Sequence, residues 1–277
     1  MLGLLLLLLQ VLASCLRLGH SEVVTPFASC PQFFYSGLPP NNALTPKNPA
    51  WICQRFRNSF RYATLYDRDR RIPVYSAYKY EAAEGETAPE WWMVEPQVNK
   101  NVNIKEMERE SDLIDQHRFT LEQIEESQAV LDDYQGLKNL DRGHLNPSVH
   151  MESQNSKMAT FTLTNVVPQD SSLKKGQWNI YESKTMPQHT KGCTTTYVIT
   201  GAVPGDTYIS QGRVNKPSHI WSAACCLVGT EPTSAWGAIA ENNKNEVETI
   251  TLGELEERLT KLYDGKVTLF DKACPRP

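Results

Sequence analysis

Asp141-Arg142-Gly143-His144-Leu145-Asn146-Pro147 is the stretch on which the fold and the chemistry turn. Histidine is the side chain poised to take up a proton near neutral pH. Arg142, two residues away, offers a planar fork of donors suited to an oxyanion such as phosphate. Gly143 between them lets the backbone approach closely. A lone histidine is most often a packed or solvated residue. The dense Asp-Arg-Gly-His grouping makes His144 a candidate base and Arg142 a candidate anion contact.

Working outward, the flanking chain mixes strands and helices. Tyr62–Tyr66 and Ile72–Tyr80 read as a hairpin turning at Asp67–Arg71. The charged segment 105–131, with Leu, Ile and Phe interleaved, reads as amphipathic helix. A loop-rich stretch, 134–150, carries the Asp-Arg-Gly-His group. Residues 157–168 read as helix or strand entering a turn at Pro168. Leu173–Ser183 reads as one helix with Trp178 and Tyr181 on one face. Thr196–Val203 alternates and is β-branched, so a strand, with further strands at His219–Val228 and Trp236–Ala240. Residues 252–264 are an amphipathic helix with Leu252, Leu255, Leu259 and Leu262 on one face. Helices bracketing several strands point to an α+β class.

Four blocks follow the Asp-Arg-Gly-His group in order: Thr164-Asn165-Val166-Val167-Pro168-Gln169, Trp178-Asn179-Ile180-Tyr181-Glu182, Tyr197-Val198-Ile199-Thr200-Gly201 and Pro217-Ser218-His219-Ile220-Trp221. Together they resemble the DNA/RNA non-specific endonucleases over about residues 55–270. The resemblance implies an antiparallel sheet flanked by helices, with a ββα-metal motif at the site. It implies hydrolysis of DNA and RNA backbones without sequence preference, using one Mg²⁺ or Mn²⁺ and leaving 5′-phosphate ends. Carried over, His144 is the general base and Arg142 a phosphate contact. Asn165 supports the site, and Glu182 orients metal-bound water.

The pattern fails at the metal. The resemblance places the direct ligand, an asparagine, four residues before the helix tryptophan, and here that position is Lys174. An ammonium has three donors and no lone pair, whereas Mg²⁺ wants hard oxygens. Three readings follow: a nuclease scaffold retained for binding, the Lys174 ammonium standing in for the metal's charge opposite Glu182, or a shifted ligand such as Asn179 or Glu182 alone. Asp170-Ser171-Ser172 offers no asparagine at a nearby register. An upstream arginine that the resemblance leads one to expect is also missing from Glu90-Trp91-Trp92-Met93-Val94-Glu95-Pro96-Gln97.

The ends and the cysteines speak to compartment. Residues 1–21 read as a signal peptide cut after Ser21, with a lipoprotein-type box at Leu12–Cys15 as the rival. Residues 22–54 read as an extended, disulfide-tied arm, 55–270 as the nuclease domain and 271–277 as a tail. Beyond the leader no stretch is apolar enough to span a membrane. Six cysteines then remain: Cys30, Cys53, Cys193, Cys225, Cys226 and Cys274. An even count in an exported chain suggests three disulfides. Cys30 and Cys53 make an easy local loop. Adjacent Cys225 and Cys226 point to opposite faces of a strand and bond in different directions, toward Cys193 and Cys274.

The formal charge is −4. That counts against tight sequence-independent grip on phosphates, which usually shows a basic surplus. Arg55, Arg57, Arg61, Arg68, Arg70 and Arg71 cluster within 17 residues, but such runs are more often a solvated surface than a nucleic-acid track. His150, His189 and His219 read as structural and His117 as solvated; Trp91-Trp92 is either core packing or a base-stacking pair. The first reading is an exported phosphodiesterase. Its rivals are a secreted binding protein on a nuclease scaffold and a disulfide-rich recognition protein without a nucleic-acid role.

Overall fold

The computed structural model describes residues 27–82, 88–99 and 102–277; the leader read at 1–21 lies outside the described residues. In chain order the strands and helices are β1 (Pro49–Phe56), β2 (Ser59–Asp67), β3 (Ile72–Lys79), α1 (Glu110–His117), α2 (Leu121–Glu125), β4 (Leu140–His144), α3 (Gln154–Ala159), β5 (Val166–Asp170), α4 (Ser171–Lys175), α5 (Gln177–Ile180), α6 (Met186–His189), β6 (Thr195–Val203), β7 (Thr207–Ile209), β8 (Val214–Lys216), β9 (His219–Val228), β10 (Glu231–Glu241), β11 (Glu248–Ile250) and α7 (Leu252–Leu262).

Seven of the strands form one antiparallel sheet in the order β1-β2-β3-β6-β9-β10-β11. The expected hairpin is β2 and β3, and the last residues of the expected arm form the edge strand β1. β6 and β9 are buried on both faces, and their alternation sorts the two cores. Ile199, Val203, Trp221, Ala223 and Cys225 face the layer that holds α7 and the N-terminal turns. Val198, Ala202, Ile220, Ala224 and Cys226 face the side of the helices and the β4–β5 ribbon. In the Thr-Gly that ends the β6 motif, a Cβ on Gly201 would lie 2.2 Å from the Trp221 ring, so only glycine lets the two strands pack there.

Helix α7 starts with a reciprocal cap between Thr251 and Glu254. Leu252, Leu255 and Leu259 are completely buried, each contributing roughly 1.5–3 kcal/mol. Leu262, read as a fourth core residue, is the last residue of the helix and is 39% exposed.

Two helices read as continuous are broken. Residues 105–131 yield α1 and α2, separated at Arg118, whose φ is 59°. Thr120 then caps the new helix, its hydroxyl accepting from the Gln123 amide while the Gln123 side chain accepts from the Thr120 amide. The helix read at Leu173–Ser183 is interrupted at Gly176 (φ −102°, ψ −116°), and Gln177 N–H donates instead to Asn245 Oδ1 at 2.7 Å. Pro168, expected in a turn, sits inside β5 opposite Arg142, where the two-stranded ribbon tolerates its missing donor.

The disulfides are Cys30–Cys53, Cys193–Cys226 and Cys225–Cys274. Neighbours on β9, Cys225 and Cys226 bond to opposite sides of the sheet, as strand alternation requires. No helix of the described residues is long and apolar enough to cross a membrane.

Candidate active site

His144 ends β4, which pairs antiparallel with β5 in the register His144–Val166 and Arg142–Pro168. Arg142 and His144 are two residues apart on a strand and so share a face, while Asp141 points the other way to an ion pair with Lys175 at 2.9 Å. Burial pushes the Asp141 carboxyl up, but the hydrogen bonds from Lys175 and Ser171 outweigh it and hold it below its ordinary range. Gly143 is required by contact: a Cβ there would lie 2.3 Å from Gln169 Oε1 and 2.6 Å from Gln169 Cβ.

The His144 ring is held edge-on against Phe161 (4.9 Å between centroids) and tilted against Trp92 (5.5 Å). Trp92 also carries the Arg142 guanidinium 4.3 Å over its ring. His144 Nε2 is buried and has no hydrogen-bond partner among the described residues. The ring is half-buried overall and borders a cleft of about 370 Å³ lined also by Gln169, Lys174, Lys175, Asn179 and Glu182. Burial, then the charges of Lys174 and Arg142, lower the His144 pKa from its usual 6.5 to about 3, so the ring is neutral at pH 7.

Glu182 enters the cleft from a single π-helical turn, Tyr181–Thr185, that follows α5. Its Oε1 accepts from the Trp178 indole N–H at 3.0 Å. Burial raises its pKa to about 8, although the Trp178 hydrogen bond and the Lys174 charge oppose the rise. Lys174 and Glu182, eight residues apart in sequence, border the same cleft despite the break at Gly176.

Asn165 lies outside the cleft and is fully buried. Its Oδ1 accepts from Ser76 Oγ (2.8 Å) and the Asn146 amide (3.0 Å). Its Nδ2 donates to the Asn146 and Thr160 carbonyls, each at 2.9 Å. It therefore ties the chain just after His144 to β3 and to the end of α3. His150, read as structural, is buried beneath the site between Tyr78 and the Glu182 backbone. Trp92, read as packing or base stacking, packs on the His144 ring, whereas Phe161 and Gln169 carry no role in the sequence reading. Gln169 stands in the quoted Pro-Gln block; Phe161 carries no local signal, because its place is set by the backbone bond its carbonyl accepts from Met93, far away in sequence.

The Mg²⁺ or Mn²⁺ implied by the resemblance meets an ill-suited donor set. The cleft offers one acidic side chain, Glu182, mostly protonated at pH 7 and with an oxygen committed to Trp178, and the neutral amide oxygens of Gln169 and Asn179, against the ammonium groups of Lys174 and Lys175. Among the described residues no group of three His, Cys, Asp or Glu could hold a metal ion. These residues do not fit a divalent cation, which seeks several hard oxygens without competing positive charge.

A family model for DNA/RNA non-specific endonuclease matches residues 39–272. The chain belongs to this family. Two relatives agree, both named endonuclease domain-containing 1 protein. The one from Mus musculus is 32% identical over 256 residues, and the one from Homo sapiens 33% over 257. Each alignment covers 90% of this chain and 48% of the relative, so the chain spans about half the length of the curated relatives it matches. A solved structure of EndoG in complex with EndoGI superposes with a TM-score of 0.49 at 17% identity, over 79% of this chain and 86% of that one. For a member of the endonuclease family, β4 and β5 followed by the helical run from Ser171 supply the expected two strands and helix around His144.

Proposed function

We propose that the His144 cleft binds the phosphate backbone of DNA or RNA and hydrolyses phosphodiester bonds without a divalent metal. The observation that carries this reading is the buried, unpartnered Nε2 of His144 in a cleft that also holds Lys174. His144, neutral at pH 7, takes a proton from water as the water oxygen bonds to phosphorus. The bond from phosphorus to the leaving oxygen breaks, and that oxygen takes up a proton from solvent. Arg142 and Lys174 offset the charge that builds on the phosphoryl oxygens. A fixed ammonium supplies charge but not the coordination geometry of a metal, so turnover is slow. Three disulfides accord with an exported protein, and secretion belongs to the same proposal.

One observation favours a second reading, binding without cleavage. A histidine held near pKa 3 is a weak base, as a disabled scaffold would leave it. A nuclease assay on plasmid DNA and RNA separates the two, run with Mg²⁺, Mn²⁺ or EDTA on the wild type, His144→Ala and Lys174→Asn. The proposal expects cutting that survives EDTA and vanishes in His144→Ala. Cutting abolished by EDTA overturns the metal-free mechanism. A silent wild type beside an active Lys174→Asn establishes the binding scaffold instead.

A further inference from the structure

The sequence left Trp91-Trp92 open between packing and base stacking, and the structure gives the two rings different positions. Trp92 is half-buried, wedged between His144, Arg142 and Phe161. Trp91 is 52% exposed, with the Arg109 guanidinium 5.9 Å over its ring. Arg109 is itself steadied by a two-pronged bond to Asp112, at 2.7 and 2.9 Å. The chain bearing both tryptophans is pinned just beyond them. Met93 exchanges backbone bonds with Phe161 and Leu163, and Val94 with Glu108.

A third ring–guanidinium pair is linked to Trp92 through shared packing. Phe56 packs with Trp92 on the small cluster of Ala88, Met158 and Phe161, and Arg57 lies 5.6 Å over the Phe56 ring. The arginine run 55–71 is otherwise committed to the fold. Arg55 pairs with Glu106, Arg61 donates to the Phe56 carbonyl, Arg68 to Val98, Arg70 to Asp67 and Arg71 to Glu125. Exposed Arg57, beside the His144 cluster, is the member whose described contact is a ring.

We propose that Trp91, flanked by Arg109 and adjacent in the chain to the Trp92 that packs on His144, is a stacking platform for an unpaired nucleobase next to the phosphate held at His144. A single strand alternates flat bases with anionic phosphates, and the pairs Trp91–Arg109, Trp92–Arg142 and Phe56–Arg57 each set a ring beside a guanidinium group. Stacking on an aromatic ring accepts any base, because every base has a π face, and it requires a base released from a duplex. Local arginines also reconcile phosphate binding with a chain whose formal charge is −4. The inference rests on the proposed nucleic-acid reading of the cleft.

The test measures binding of a labelled 12-nucleotide single strand, an abasic strand of equal length and charge, and the corresponding duplex. His144→Ala protein, which spares the strands, is compared with the same protein carrying Trp91→Ala, Trp91→Phe or Arg57→Gln. Trp91→Ala weakens the base-bearing strand roughly 5- to 100-fold, the range of one lost base stack. The abasic strand is unaffected, Trp91→Phe retains most of the affinity, and the quenching of tryptophan fluorescence by the strand shrinks in Trp91→Ala. Arg57→Gln weakens both strands and lowers the salt dependence of binding. Trp91→Ala binding the base-bearing strand as tightly as its parent overturns the platform, as does an equal loss for the abasic strand. A parent that binds base-bearing and abasic strands equally removes the platform but leaves the phosphate site standing. A parent that binds no strand at low salt removes the nucleic-acid reading itself.

Discussion

His150 and Glu182 are joined by a hydrogen bond from the His150 Nε2–H to the Glu182 backbone carbonyl, 2.9 Å long. The carbonyl can only accept, so Nδ1 is left as the acceptor for the Tyr78 hydroxyl at 3.0 Å. The buried imidazole thus ties β3 to the π-helical turn that directs Glu182 into the cleft. His150→Ala leaves two buried polar groups unpaired beside a cavity, and should cost about 2–4 kcal/mol in chemical denaturation. Strand binding at the cleft should fall with it. His150→Gln, which restores a donor, should recover part of both; full affinity in His150→Ala would mean that the turn holds without it.

The same histidine sets an acid limit on stability. Burial lowers its folded pKa to about 4, below the roughly 6.5 of the unfolded chain. Between those values the unfolded state binds more protons, so stability falls as pH falls through that window and is intact above it. The loss due to His150 amounts to about 3 kcal/mol once pH is below 4. Glu182, whose folded pKa is raised to about 8, contributes in the opposite sense, so the His150 slope is read as the difference in urea midpoints between wild type and His150→Gln from pH 7.5 to 4.

Lys174 should govern the pH response of His144. Its positive charge, with burial and Arg142, disfavours the imidazolium. Lys174→Ala removes one of those charges, so the His144 pKa must rise. The acid limb of the rate profile should move to higher pH, while the rate on the plateau falls roughly 10- to 1000-fold through loss of charge stabilisation. Histidine chemical shifts across pH 3–8 would follow the same group even without turnover. An unmoved His144 titration would separate Lys174 from the site.

Gly143→Ala tests how tightly β4 lies on β5. The added carbon would come within 2.6 Å of Gln169 Cβ, a position fixed by the strand and not by a flexible side-chain end. The ribbon must shift, at a cost of about 1–3 kcal/mol, and His144 moves with it. Thermal melting should register the destabilisation, and cleavage should fall further than stability alone explains.

Much of this arrangement was legible because it is local. The β2–β3 hairpin, β6, β9 and α7 follow from alternation and helical period, and the Asp-Arg-Gly-His group marks its own site. What escaped was decided by contacts distant in sequence. Gly176 breaks a helix because Asn245 offers a substitute acceptor. Phe161 meets His144 where its carbonyl accepts from Met93 of the Trp92 segment, and His150 meets Glu182 across 32 residues. The Thr120–Gln123 capping box is a local signal that marks where α2 must start afresh. Lys174 was legible as a departure, but that it borders one cleft with Glu182 and His144 depended on the packed structure.

The Cys225–Cys274 bond should be the most stabilising of the three disulfides. It links the interior strand β9 to the C-terminal segment across 49 residues, against 33 for Cys193–Cys226 and 23 for Cys30–Cys53. Closing a loop of that length removes unfolded-state entropy worth roughly 4 kcal/mol, with smaller values for the shorter loops. Arg276, two residues on, gives the native state a separate tether through its bonds to Glu256 at 2.7 and 3.0 Å. The folded tail should therefore stay docked when the disulfide is replaced by the pair Cys225→Ser and Cys274→Ser. Denaturant unfolding should then show a lower midpoint, with the cleft's affinity for a single strand unchanged. A loss of that affinity at full stability would instead mean that the C-terminal segment acts on the His144 site through the sheet.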